Sequence, residues 1–369
     1  MSVRRIRPVK IAHIIDTMAV GGAETLVALL CRLQKKAGHK PSVHCLYALG
    51  SLGEQLRQED IPVVVHGPAS SIALAVRLYR EFCRRPSDVV HCHNATATIV
   101  GAPSSRLACG ASIISTRHGL VEPPFHYRRE LKYAVAVRSC DWVVGVCKAT
   151  TRNMLRLPGV AHRKITTVYN AAVPFANKSR RAKPPGLTRA VHVARLTHLK
   201  DQATLLRAVA LAKPRLPGLV LSIVGDGPLA ANLRDLSNSL GLQGQVSFHG
   251  EQQNVEPILL ESDLFVLSSL SEGLPVSLLE AMSAGLATIV TDVGGMPEVV
   301  RSCNCGMTVP PLDPAALADA VVTLGSAPDR LNSLGCAARR CYELHFTPER
   351  MAEQYERLYA TKPSSAASL

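Results

Sequence analysis

The feature that most constrains how this chain can fold is an alternation. Short runs rich in Val and Ile are each followed by a longer stretch with helical spacing, over most of its 369 residues. Strands buried on both faces read as continuous apolar runs, and joining them in parallel takes a crossover helix. The pattern therefore predicts an α/β chain with parallel sheets. In the first half the runs fall at 9–15, 42–48, 61–66, 88–92, 112–116, 141–146 and 165–169. Between Val173 and Leu187 the text changes to PFANKSRRAKPPG, charged and proline-rich, which reads as a linker. The alternation restarts at 189–194 and continues at 219–224, 245–248, 263–268 and 286–291. A helix over 347–359 closes the pattern, and KPSSAASL reads as a frayed tail. The expected division is a first domain over 1–172, a linker over 173–187, a second domain over 188–345, a terminal helix over 346–360 and a tail over 361–369. Two doubly wound domains of this kind place a ligand cleft between them, outside the carboxyl ends of the strands.

No 18-residue apolar run is present that would span a bilayer. The N-terminal MSVRRIRPVKIAHII has basic residues ahead of an apolar run, but Asp16 follows at once and no small-x-small cleavage site appears, so it reads as a first buried strand. The eleven cysteines are scattered without a C-x-x-C, which predicts reduced core thiols and a cytoplasmic protein. Charge is uneven. Residues 1–185 hold 28 Lys/Arg against 10 Asp/Glu, and the remainder hold 14 against 18. A basic half suits nucleic acid, anionic lipid or an acidic substrate. Nucleic acid is disfavoured, because no helix-turn-helix, zinc or RNP-type motif occurs and aromatics are few.

The chemistry concentrates in Ser268 to Asp292, SSLSEGLPVSLLEAMSAGLATIVTD. Glu272 sits in a Gly/Pro loop, Pro275 fits the first turn of a helix, and Glu280 follows about five residues in, roughly 8 Å along the axis. Free N–H groups and the helix dipole point out of the same end. One segment thus offers amide donors for an anion and two carboxylates for hydroxyls, which a sugar nucleotide presents. Leu278, Leu279 and Met282 are ordinary core residues at helical spacing. Elsewhere, Arg195 and Lys200 follow the first strand of the second half and could neutralise a diphosphate, or form a solvated turn. Gly21 and Gly22 lie between the first strand and first helix, where glycines let backbone amides approach a phosphate. His118 and His93 end strands. Gly225-Asp226-Gly227 satisfies G-x-G-x-x-A, but Pro228 interrupts it and no acidic residue ends the next strand, which argues against NAD.

These motifs together closely resemble the signature of the retaining GT-B glycosyltransferases of family four, the glycosyl transferases group 1. That pattern reads E-G-[LF]-P, a second Glu eight residues on, then A-M-A-x-G-x-P; here Ser283 and Ala287 depart from it. VARLTHLKDQ resembles the G-R-L-x-x-x-K-G element, with Asp201 in place of the usual Gly, and AVGGAE resembles the GGAE loop. The resemblance implies a GT-B fold of two doubly wound, Rossmann-like domains facing a central cleft, with the last helix crossing back to the first domain. It implies a hexosyltransferase that moves a sugar from a UDP- or GDP-sugar to a hydroxyl of a glycan or glycolipid, with retention. Its catalytic residues would be His118, Arg195, Lys200 and Glu272. Gly21, Gly22, Gly225, Gly273, Leu274, Pro275 and Glu280 would bind the nucleotide sugar, and His93 would line the acceptor side. No D-x-D occurs, so neither a metal nor a resident cofactor is expected; cations and helix-start amides would carry the leaving-group charge. Where the family often reads N-G-V-D, this chain reads Asn170-Ala171-Ala172-Val173, so that hinge contact is not carried over.

The basic stretches Arg77, Arg80, Arg84, Arg85 and Arg128, Arg129, Lys132, Arg138 read either as solvated faces or as a surface resting on anionic lipid at the inner face of the cytoplasmic membrane. Two other functional classes stand beside the transferase reading: an epimerase or hydrolase on the same fold, and a catalytically silent nucleotide-sugar-binding protein.

Overall fold

Among the described residues every strand pairing is parallel, and the strands form two separate sheets. The computed structural model describes residues 8–120, 127–175, 184 and 186–361. The chain divides into two units, Met1–Asn170 with Pro348–Leu369, and Ala171–Thr347.

The first unit carries β1 (Lys10–Thr17), β2 (Lys40–Ala48), β3 (Val63–Val65), β4 (Val89–His93), β5 (Ser112–Arg117), β6 (Trp142–Gly145) and β7 (Ile165–Thr167), in the spatial order β3-β2-β1-β4-β5-β6-β7. Its helices are α1 (Gly22–Lys36), α2 (Gly50–Gln58), α3 (Ser71–Arg84), α4 (Asn94–Ala108), α5 (Tyr127–Ala136) and α6 (Lys148–Leu155). The central β4 is buried at all five positions, whereas the edge strands are only partly covered. That difference follows from helices covering both faces of the middle of a parallel sheet.

The second unit carries β8 (Thr188–Val193), β9 (Leu219–Val224), β10 (Val246–Phe248), β11 (Leu264–Leu267), β12 (Ala287–Thr291) and β13 (Gly306–Val309), in the order β10-β9-β8-β11-β12-β13. Its helices are α7 (Gln202–Ala212), α8 (Ala230–Ser239), α9 (Glu256–Glu261), α10 (Val276–Ser283), α11 (Met296–Ser302), α12 (Pro314–Gly325) and α13 (Pro328–His345). The last helix, α14 (Pro348–Ala360), belongs to the first unit. There Tyr355 Oη lies 3.1 Å from Thr116 Oγ1 and Tyr359 Oη 2.9 Å from His91 Nδ1.

In each sheet the strand order reverses once, between β1 and β4 and between β8 and β11. At such a point the connections leave to opposite sides and open a crevice beyond the carboxyl ends of the two strands. Those ends carry Asp16 and His93 in the first unit, and Arg195 and Glu272, in the loops that follow, in the second.

Three features differ from the reading of the sequence. The edge strand β13 went unseen, because it starts with Gly306 and is half-covered rather than apolar. A Cβ at Gly306 would collide with the Thr288 carbonyl of β12, so the glycine permits the pairing. The expectation of reduced thiols throughout fails at Cys303 and Cys341, which form a disulfide with Cα atoms 5.7 Å apart; the other nine cysteines are free. Cys303 follows α11 and Cys341 lies on α13, a proximity made by tertiary packing that spacing does not reveal. Finally, the Ala171-Ala172 departure is a packed segment. Both alanines are buried, Ala172 N donates to Phe346 O at 3.3 Å, and Tyr342 Oη donates to Ala172 O at 2.7 Å. The expected linker over 173–187 and tail over 361–369 fall mostly outside the described residues.

Candidate active site

In the second unit the loops after β8 and β11 are pinned to each other. Leu270 N donates to Leu199 O at 2.8 Å, and the buried Ser268 hydroxyl reaches the carbonyls of Lys200 (3.0 Å) and Asp201 (2.9 Å). This pinning brings Lys200 Nζ onto Glu272 Oε1 as an ion pair, and Ser269 Oγ donates to the same oxygen at 2.8 Å. The pair is mostly buried, with side chains 24% and 10% exposed. An amine held there keeps two N–H bonds for another anion.

Asp201 has φ +46°, in the left-handed region, and its carboxylate caps α7 by accepting from Thr204 N at 3.3 Å. That geometry explains why a glycine suits this position and how an aspartate fills it: the left-handed strain is offset by the cap. Behind the loop, Gln202 Nε2 donates to Arg195 O and to His192 Nε2, each at 3.1 Å, while His192 Nδ1 donates to Val266 O at 2.9 Å. The chain from β11 through β8 to α7 fixes the backbone at Arg195. Burial holds His192 neutral, its imidazole pushed down to about 4. The Arg195 side chain is exposed and makes no hydrogen bond or ion pair among the described residues.

Gly225 sits at φ +130°, where a Cβ would collide with the Ala194 carbonyl, and a Cβ at Gly227 would collide with that of Leu196. The glycines therefore serve the packing of the β9 loop under the β8 loop, with Leu196 N donating to Asp226 O at 2.9 Å. That accounts for the G-x-G-x-x-A decoy in structural terms.

Pro275 is the N-cap of α10, one position ahead of the expected first turn, and no side chain caps the helix. Gly273 and Leu274 are buried beneath the loop, where Gly295 N donates to Gly273 O at 2.8 Å. Leu278, Leu279 and Met282 face the core, as their spacing implies. Glu280 faces the other way, and its side chain has no hydrogen-bond or ion-pair partner among the described residues. Burial alone pushes its carboxyl up from the usual carboxylate range to about 7. A desolvated carboxyl without a donor is poised for hydroxyls brought by a ligand.

In the first unit, Gly21 is the extended N-cap of α1 and Gly22 its first residue, again with no side-chain cap. His118 follows β5, its backbone N–H held by Asn94 Oδ1 at 3.1 Å. Beside it, Arg117 makes a buried two-pronged pair with Glu130 of α5 at 2.7 and 2.9 Å. His93 is 1% exposed and both its ring nitrogens are engaged, by His13 at 3.0 Å and by His118 at 3.1 Å. A ring buried in this way, with both nitrogens engaged, presents no free polar atom at a surface among the described residues.

The sequence reading passed over several groups here. Asp16, just past the apolar run of β1, has a carboxyl raised by burial and a buried Oδ1 that no described residue satisfies. Its acidity after an apolar run was the available signal. His13, Gln34 and His91 gave none, being single polar residues within core-facing elements. His13, His91 and His93 offer ring nitrogens within 4.8 Å of one another, yet both nitrogens of each ring are already hydrogen-bonded within the protein.

Two parallel sheets, each with helices on both faces, give the chain a GT-B fold of two Rossmann-like domains. The chain superposes on the Anabaena protein Alr3699/HepE in its complex with UDP with a TM-score of 0.81, at 18% identity, over 96% of this chain and all of that one. Residues 20–173 match the family Glycosyltransferase Family 4 and residues 175–340 match Glycosyl transferases group 1. The chain belongs to the group 1 glycosyltransferases. It is 27% identical over 304 residues to the N-acetyl-alpha-D-glucosaminyl L-malate synthase of Bacillus anthracis, covering 79% of each chain. It is also 28% identical over 250 residues to the UDP-Gal:alpha-D-GlcNAc-diphosphoundecaprenol alpha-1,3-galactosyltransferase of Escherichia coli, covering 62% of this chain and 63% of that one.

Proposed function

We propose that this glycosyltransferase moves a sugar from a nucleoside diphosphate sugar to a hydroxyl of a lipid-linked or glycan acceptor, with retention at the anomeric carbon and without a metal ion. The observation that carries the reading is the Lys200–Glu272 pair held beyond the β8/β11 switch point, on the same loop that leads to Glu280, whose side chain has no partner among the described residues. Glu280 accepts from the ribose hydroxyls and Glu272 from hydroxyls of the transferred sugar. Lys200, Arg195 and the first amides of α10 neutralise the departing diphosphate, the work a metal does at sites built from paired aspartates. By the family resemblance, Gly21 and Gly22 would offer the amides of α1 to a phosphate, and His118 would meet the reacting sugar. A front-face substitution follows, in which the departing phosphate oxygen takes the acceptor proton. UDP as the leaving group is supported by the UDP complex of Alr3699/HepE, and a lipid-linked acceptor by the printed name of the Escherichia coli relative.

The basic helices favour a membrane-borne acceptor. On α3, Ile72, Val76 and Tyr79 are exposed along one stripe beside Arg80 and Arg84, while Leu74, Leu78 and Phe82 pack inward. On α5, Tyr127, Leu131 and Val135 repeat the pattern beside Arg128 and Lys132. Apolar residues ringed by arginine suit the headgroup region of an anionic bilayer. No helix among the described residues is long and apolar enough to cross a membrane.

Product analysis tests the reading: UDP-sugars are supplied in EDTA, with and without an undecaprenyl diphosphate-linked saccharide. Acceptor-dependent formation of a glycoside whose anomeric configuration matches the donor supports it. Acceptor-independent release or epimerisation of the sugar favours a hydrolase or epimerase, and an intact donor favours a binding protein.

A further inference from the structure

Three imidazoles and one amide form a single file through the first unit. Gln34 of α1 lies at its inner end, with Oε1 2.8 Å from His13 Nε2. His13 Nδ1 is 3.0 Å from His93 Nε2, and His93 Nδ1 is 3.1 Å from His118 Nε2. His118 Nδ1 ends the file, buried and without a hydrogen-bond partner among the described residues.

The protons in this file are not independent. An amide oxygen only accepts, so His13 Nε2 carries a proton and donates. A neutral imidazole has one N–H, which leaves His13 Nδ1 as an acceptor. His93 Nε2 must then donate, which leaves His93 Nδ1 to accept, and His118 Nε2 donates in turn. Neutrality is enforced by burial, which pushes His13 and His118 down to about 4 and His93 well below its ordinary value. The Gln34 amide is itself oriented from its other side: Nε2 donates to Tyr359 Oη at 3.4 Å, and that hydroxyl donates to His91 Nδ1 at 2.9 Å. His91 Nε2 then donates to Thr116 Oγ1 at 2.7 Å.

We propose that Gln34, His13 and His93 are positioning residues that fix the tautomer of His118, so that its Nδ1 offers a lone pair, not an N–H, to a hydroxyl of the substrate. The proposal rests on the reading of His118 as a residue of the transfer site. It assigns the class of group His118 recognises: a hydroxyl that donates, as sugar and acceptor hydroxyls do, and not a phosphate oxygen or carbonyl. The same assignment makes the His13, His91 and His93 cluster a hydrogen-bonded core and not a cation site, since binding an ion would take the lone pairs the file uses.

The test is long-range proton–nitrogen NMR on intact protein labelled with 15N-histidine, with the His118 signals assigned by their loss in His118→Gln. Wild type is expected to show a bare, pyridine-type Nδ1 and a protonated Nε2 on His118. Gln34→Met, close in size and without an acceptor oxygen, should mix the two tautomers at His118 and lower kcat about tenfold, the loss of roughly one hydrogen bond, with KM for the nucleotide sugar little changed. Gln34→Glu keeps the oxygen and should keep the wild-type tautomer. A protonated Nδ1 on His118 in wild type overturns the proposal, whether or not the variants fold. So does a Gln34→Met spectrum identical to wild type at His118, or a stoichiometric metal ion retained after EDTA with His13, His91 and His93 signals shifted by it. Full transfer activity in His118→Ala, by contrast, would retire His118 as a site residue while the spectra still answer for the file.

Discussion

Glu280 shows most directly how one residue joins stability to function. Its carboxyl keeps a proton in the folded chain up to about pH 7, while in the unfolded chain it loses that proton near its ordinary value. Between those points the folded state binds more protons, so this group weakens the fold as pH rises from about 4.5 to about 7. Glu280→Gln removes the effect: chemical denaturation should show the variant gaining on wild type by roughly 1–3 kcal/mol between pH 5 and pH 8. Nucleotide affinity should move oppositely, tightening in wild type as pH rises through about 7 and staying flat in Glu280→Gln. A second residue-scale test concerns Asp201. Asp201→Ala loses the cap and keeps a left-handed backbone, which should cost about 1–2 kcal/mol by denaturant melt, while Asp201→Gly should cost a few tenths. The Glu pair, Lys200 and Arg195 were legible in the sequence because their spacing is set by single loops. His13, Gln34 and His192 were not, because their partners come from strands and helices distant in the chain, and a lone polar residue in an apolar run carries no signal of its partner.

At the scale of elements, junctions matter more than strands. Gly294 has φ +61°, and a Cβ there would collide with the Glu272 carbonyl. Gly294→Ala should therefore displace the Glu272 loop, lowering transfer activity more than tenfold with a loss of stability of roughly 1–3 kcal/mol; wild-type activity in this variant would mean that the loop tolerates the shift. In the first unit, β5 is tied to α5 by the buried Arg117–Glu130 pair. Glu130→Ala leaves a buried guanidinium unpaired and should cost about 3–5 kcal/mol in a thermal melt. Strands buried on both faces announced themselves as apolar runs, and so the sheets were readable almost in full. The edge strand β13 lacked that signature, since an edge is covered on fewer sides and its glycine is there for a backbone approach.

For the whole molecule, two sheets of the same winding, each with one reversal of strand order, place the candidate residues at carboxyl ends of strands. The winding follows from the alternation in the sequence, whereas the disulfide between Cys303 and Cys341 follows from packing and was invisible to it. The charge imbalance belongs to this scale as well. Sedimentation with anionic vesicles should pellet the protein at low salt and release it at high salt, as expected where arginines meet a negative surface. Replacing Ile72, Val76 and Tyr79 with serine should weaken pelleting at both salt concentrations, and the absence of salt-sensitive pelleting would favour an acceptor in solution. The central claim remains that the second unit binds a nucleoside diphosphate through Glu280 and the Lys200 loop. The most direct measurement is thermal stability in EDTA with UDP, GDP, ADP and NAD, for wild type and Glu280→Ala. One diphosphate at about 100 times its dissociation constant should stabilise wild type by roughly 2.7 kcal/mol and leave the variant unmoved. Stabilisation by NAD alone, or by none of the diphosphates, would contradict the account.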